Sequence, residues 1–311
     1  MACLAALAVT SLFIGVGDLS PRDLFGENGE AVRLLLVSRI PRTAAVLLAG
    51  MAVGVAAVIM QTIFRNRFVE PTTSGTVEAA SLGLVAVALL QPAMPLPGKM
   101  LVAAGFALAS TWLFLKLIDR IAVRTAVIVP LLGLMLGRVL ESLTFFIAYR
   151  HDLLQALVSW VNGDFSSVLR GRYELLWIGA GLAALAYVAA DRFTVAGMGR
   201  STATGLGLDY RRVVGLGLAI VSMVTAAVVV TVGTVPFLGL IVANLVTMVT
   251  GDNLRRALPW IALAGAGFML ACDIAGRLIR FPYEIPVGTV AGVVGSAAFL
   301  AIILSRRRRL G

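Results

Sequence analysis

The stretch VSRIPRTAAVLLAGMAVGVAAVIMQ, residues 37–61, decides the fold. Arg39 and Arg42 flank a proline, and from Thr43 onward no charged residue occurs until Arg65. An apolar run of roughly 20 residues, wound as a helix, is long enough to cross the hydrocarbon core of a bilayer. A barrel strand would alternate apolar and polar residues over about ten positions, and AAVLLAGMAVGVAAVIM (44–60) does not alternate. The stretch reads as a membrane-spanning helix with a basic mouth.

Runs of this kind fill the chain. Of its 311 residues, 59% are hydrophobic and 14% charged, with a mean hydropathy of +0.97, where a water-soluble domain carries about 25% charged residues. Charged, Pro-rich and Gly-rich joints divide the sequence into ten spans, near 1–17, 43–64, 76–91, 99–118, 126–148, 173–190, 212–232, 235–250, 258–279 and 286–304. The expected fold is an all-α integral membrane bundle, one membrane domain over 1–311 with no room for a soluble domain. HDLLQALVSWVNGDFSSVLRGR (151–172) has helical apolar spacing but too many polar residues to cross, so a surface helix is expected over 152–162.

The net charge of +10 and pI near 10.7 do not point to nucleic acid, because the basic residues sit at the ends of apolar runs without aromatic interleaving. They report topology instead. Arg306 to Arg309 place the C-terminus in the cytoplasm by the positive-inside rule, and ten spans place the N-terminus there too. Short inner loops then carry Arg65 and Arg67, Arg120 and Arg124, Arg192 to Arg212, and Arg255 and Arg256, while 18–42 and Arg150, Arg170, Arg172, Arg277 and Arg280 fall outside. Arg39 and Arg42 thus stand against the usual bias. They are either a dock for an acidic partner or headgroup anchors snorkelling to membrane lipid.

Chemistry inside the spans is sparse. Arg138 and Glu141, three residues apart on one helical face, and Asp273 and Arg277, four apart, line a pathway or form structural pairs; each charge against lipid would cost about 2.5–3.5 kcal/mol. Gly50 with Gly54, Gly133 with Gly137 and Gly288 with Gly292 suit close helix packing. Cys3 and Cys272 read as apolar fillers, and His151 as a solvated loop residue. No phosphate-loop, zinc-protease or nucleophile-elbow pattern occurs, and GLGLDY (205–210) lacks the third glycine of a dinucleotide fingerprint. The chain reads as a conduit that binds no metal and performs no covalent chemistry. TVAGMGRSTATGLGLDYRR (194–212) has the spacing of a short helix, a turn and a second short helix, and is either a docking surface or a flexible linker.

SRIPRTAAVLLAGMAVGVAAVIMQTIFRNRFVEPTTSGT, TATGLGLDYRR, GLIVANLVTMVTGDNLRRALP and YEIPVGTVAGVVGS together resemble the permease subunits of ATP-driven uptake systems for iron chelates and cobalamin, along essentially the whole chain. The resemblance implies a ten-span subunit of the bacterial cytoplasmic membrane. Its implied partners are a second permease (identical or paralogous), two cytoplasmic ATPases that use ATP and Mg, and a substrate-binding protein. Carried over by position, Arg39, Arg42 and Arg277 would dock the binding protein, while Met198, Gly199, Ser201, Ala203, Leu206, Gly207 and Leu208 would seat in the ATPase. Asn244 joins Arg138 and Glu141 as a pathway-polar candidate. Ala243 and Asn244 stand where many members have Pro-His, a departure that with VEPTTSGT resembles the ferric siderophore branch, often catecholate, ahead of cobalamin or haem. The rival reading is an ion-coupled secondary carrier, against which the sequence shows no plainly interrupted helices in matching halves.

Overall fold

The computed structural model describes residues 2–15, 29–121 and 128–307. Residues 16–28 of the expected outer segment, Arg124, Arg308, Arg309 and the side chains of Arg306 and Arg307 lie outside the described residues. The helices are α1 (Ala2–Phe13), α2 (Gly29–Leu34), α3 (Ile40–Ile63), α4 (Thr76–Leu90), α5 (Leu96–Arg120), α6 (Ile128–Arg150), α7 (Leu154–Val161), α8 (Leu176–Val188), α9 (Ala190–Gly197), α10 (Arg200–Gly205), α11 (Tyr210–Thr231), α12 (Leu238–Thr250), α13 (Leu254–Leu278) and α14 (Val287–Arg307). Five helical runs are long and apolar enough to cross a membrane, α8 with α9 makes a sixth bent by 65°, and α1, α4, α12 and α14 are shorter apolar helices. These ten segments match the ten expected runs.

The first correction concerns residues 29–42. They do not lead up to the span as a separate outer segment; Gly29–Ile63 is one helical run of 35 residues, with a π turn over Leu35–Arg39. Pro41 explains the turn. A helical proline clashes with the carbonyl four residues back and offers it no N–H, and the widened turn frees that carbonyl of Val37, which accepts instead from the Arg170 backbone N–H at 3.0 Å. Sequence reading took the proline for a boundary, whereas it sits inside a repaired helix.

α3 is the axis of the bundle: 78% of its most apolar 18-residue stretch is buried, against 22% for that of α6. It packs most extensively on α13, and α11 on α5. At the first crossing a methyl on Gly50 would overlap the Gly265 carbonyl, and one on Gly265 the Gly50 carbonyl, so two backbones touch where only glycine fits. The other two glycine pairs also meet chain outside the long helices: Gly133 lies on the Thr73 carbonyl, and Gly288 on that of Thr234.

Those irregular segments, 64–75 and 232–237, each lead into a short helix, α4 of 15 residues and α12 of 13. A span of α3's 24 residues is about 36 Å long, while α12 covers only about 20 Å, so each short helix begins part-way down the bundle. Each is preceded by a left-handed residue, Gly75 (φ 76°) and Phe237 (φ 62°). α3–α6 and α11–α14 repeat the order long, short, long, long, and the one bent pair among the described residues is α8 with α9.

Candidate functional site

Three groups of polar residues occupy distinct levels of the bundle. At the N-terminal end of α3, the inward turn of the helix carries Arg39 and Arg42 into the interior, each 7% exposed. Arg42 donates from Nε and Nη2 to Asp273 Oδ1 at 3.1 and 2.8 Å and from Nη1 to Glu284 at 2.7 Å. Arg277 pairs with the other Asp273 oxygen and donates to Ser11 Oγ at 2.5 Å and to the Ile14 carbonyl at 2.6 Å. Arg39 shares that Ile14 carbonyl at 2.7 Å. The guanidiniums of Arg39, Arg42 and Arg277, the expected docking residues, are buried and bonded within the chain, because Asp273, 0% exposed, must have partners to be tolerated there. They join α1, α3 and α13 as an ion knot.

Midway down, segments 71–75 and 234–237 converge with α4, α6 and α7 on a cleft of about 350 Å³. Arg138 and Glu141 pair along the α6 wall at 2.6 Å, with the Arg138 side chain 78% exposed, so the sequence pairing is found and faces a cleft. Glu78 and the hydroxyl residues Thr73, Ser81 and Thr144 complete the polar wall. One Glu78 oxygen is buried without a partner, and the carboxyl lies flush on Gly137, 3.3 Å from where its Cβ would stand.

At the far end of α3, α9 and α10 form the expected pair of short helices, joined at Gly199 (φ 106°), and α10 is followed by Gly207 (φ 80°); both angles favour glycine. Met198 (57%) and Leu206 (66%) are exposed, as are Ser201 and Gly207, while Ala203 and Gly199 are buried and Leu208 is half-buried. The exposed apolar pair and the buried Ala203 give this element an outward face and a packed underside. Asp209 then caps α11 through the Arg212 N–H at 3.2 Å.

Asn244 does not line the cleft. Its amide donates to the Arg67 carbonyl at 2.8 Å and the Leu240 carbonyl at 2.6 Å, so it braces α12 against the segment after α3. Sequence reading missed Glu70, Glu78 and the Arg42 partnership of Asp273, whose pairing with Arg277 it did find. Glu70 is 1% exposed and accepts from the Leu240 N–H at 2.7 Å and the Phe237 N–H at 3.2 Å, capping α12 with a carboxylate from the other half of the chain. The signal that could have found all three is an acidic residue inside or bordering an apolar run, since such a charge demands a partner.

An all-helical bundle of apolar runs with a polar cleft between them defines a multi-pass membrane protein. The chain belongs to the FecCD transport family, which it matches over residues 3–305. It is 51% identical over 305 residues to the petrobactin import system permease protein YclN of Bacillus subtilis (98% of this chain, 96% of the relative). It is also 39% identical over 298 residues to the ferric-anguibactin transport system permease protein FatD of Vibrio anguillarum (96% and 95%), and 30% identical to an Escherichia coli vitamin B12 import system permease, BtuC (98% and 95%). A solved chain described as that of a metal-chelate type ABC transporter, inward-facing, superposes with a TM-score of 0.83 at 22% identity, covering 98% of this chain and 97% of that one. That likeness shows the fold.

Proposed function

We propose that this chain is the permease subunit of an ATP-driven importer that carries a ferric siderophore, of catecholate type, across the bacterial cytoplasmic membrane. The observation that carries the reading is 51% identity along 98% of the chain to a petrobactin import permease. The exposed α9–α10 element supports it as the seat for a cytoplasmic ATPase, which uses ATP and Mg while this chain holds neither. That choice fixes the α10 end and both termini in the cytoplasm, and the ion knot toward the outside. The outward face of α6, with Leu131, Met135, Val139 and Phe146 more than half exposed, is where a second permease packs to close the cleft into a pathway. With Arg39, Arg42 and Arg277 engaged internally, docking of an acidic binding protein falls to Arg33, Arg170, Arg172 and Arg280, all exposed on the same end.

The test is uptake of a radiolabelled ferric catecholate siderophore into proteoliposomes holding this chain, its partner permease and ATPase, with binding protein outside and ATP inside. Accumulation that requires both ATP and the binding protein is expected. Accumulation that persists without ATP and collapses with an uncoupler would transfer the chain to the ion-coupled carriers.

A further inference from the structure

The segment 64–75 touches both the coupling element and the cleft. At its start Arg65 adopts the left-handed conformation (φ 51°), where a helix normally ends on glycine. The Asn66 N–H closes the helix end on the Gln61 carbonyl at 3.0 Å, and Arg65 Nη1 reaches to 3.0 Å from the Cβ position of Gly199, the joint between α9 and α10. Two residues on, the Arg67 carbonyl holds Asn244. Glu70 then caps α12, and Gly239 leaves it room, since a methyl there would stand 3.0 Å from Glu70 Oε2. Thr72 and Thr73 reach the cleft wall. Inside the segment, the Glu70 N–H donates to Thr73 Oγ1 at 2.9 Å and the Thr73 N–H to the Glu70 carbonyl at 3.0 Å, which makes a rigid turn of it.

We propose that residues 65–73 are the strut that transmits movement of α9–α10 to the cleft, with Arg65 and Glu70 as positioning residues at its two ends. A non-glycine residue held left-handed carries backbone strain that the surroundings must offset, and the arm across Gly199 is what glycine could not supply. Glu70 passes the displacement on, because a carboxylate bonded to two backbone amides at once holds the start of α12 in place, and the adjoining Phe237 and Pro236 line the same cleft as Thr73. The inference rests on the importer reading for its direction of travel, though not for its mechanical claim.

Arg65→Gly separates the strut from a merely structural role. Glycine suits the left-handed position, so thermal stability in detergent should hold or rise while the arm is lost. Hydrogen exchange at the Phe237 and Leu240 amides of the purified chain should accelerate. In reconstituted vesicles, uptake per ATP hydrolysed should fall about 5-fold or more, the size of a typical coupling between sites, with binding-protein-stimulated hydrolysis near the wild-type rate. Glu70→Gln, which cannot accept both amides, should give the same uncoupling. Unchanged exchange at Phe237 and Leu240 in Arg65→Gly overturns the strut without any transport assay, as does unchanged uptake per ATP, or a proportional loss of hydrolysis and uptake, which would make Arg65 a docking contact. If wild-type vesicles show no ATP-driven uptake, the importer reading fails, and the exchange result still decides the strut.

Discussion

The two halves of the bundle repeat one plan in opposite directions. α3 runs from the ion knot to the α10 end, and α11 runs back; each is followed by an irregular segment, a short helix beginning part-way down, and two longer helices. Each first helix packs on the third helix of the other half, so neither half is a unit on its own. The differences lie in how the corresponding joints are made. α3 meets α13 through glycine backbones at Gly50 and Gly265, whereas α11 meets α5 through a cluster holding Ala103, Ala107, Ala226 and Ala227. The start of α3 is fastened by the buried Asp273, while the start of α11 carries an exposed Asp209–Arg212 pair, 52% and 88% exposed. A tight second-half anchor at one end and a loosely held start at the other are what a bundle needs if only the α10 end is to move.

The sharpest way to break that comparison is at the two aspartates. Asp273→Ala leaves two buried guanidiniums without their carboxylate and should lower the unfolding free energy by about 3–5 kcal/mol; Asp209→Ala removes one exposed cap and should cost about 1 kcal/mol. Thermal melts in detergent would read both, and similar losses would erase the proposed contrast between the ends. Next is the crossing of the long helices. Gly265→Leu forces apart two backbones in contact and should destabilise by about 3 kcal/mol, at the upper end of overpacking effects, more than Gly105→Leu on α5, where a Cβ meets nothing within 4 Å.

A smaller effect is expected at the residues that turn the chain into each short helix. Gly75→Ala should lose about 1–2 kcal/mol through its left-handed backbone alone, since Gly75 also packs on α6 at Gly137, 3.2 Å from the position of a Cβ. Phe237→Gly should stay within about 1 kcal/mol of wild type, because relief of the same strain offsets lost packing against Gly295. Smallest in stability, within about 0.5 kcal/mol, is Arg170→Glu with Arg172→Glu. That pair should nonetheless weaken binding-protein affinity in a salt-sensitive way, and affinity unchanged at low salt would take the dock away from this loop.

The ten runs, the short helix α7 and the helix–turn–helix of α9 and α10 were legible because each is local: apolar length, amphipathic spacing and glycine placement suffice. What sequence reading missed depends on partners far along the chain. Arg42 and Asp273 are 231 residues apart, so an arginine beside a proline looked like a mouth residue when it was one half of a buried pair. Glu70 sat in VEPTTSGT as a turn residue, and nothing nearby announces the amide of Leu240, 170 positions on. Asn244 was read as polar within a span, hence as pathway, although a buried amide serves equally well to hold a neighbouring carbonyl. Arg138 with Glu141, and Asp273 with Arg277, were the exceptions, since each partnership lies within about one helical turn.

The π turn over Leu35–Arg39 limits how such sequences can drift. A π turn is one residue of surplus within an α-helix, and each residue turns a helix by about 100°. Deleting any residue from this stretch would straighten the turn, return the Val37 carbonyl to the path of the Pro41 ring and rotate α2 by about 100° relative to α3. Pro41 and the surplus residue must therefore be gained or lost together. Length variation among relatives should skip this window while remaining free in the loop after α4.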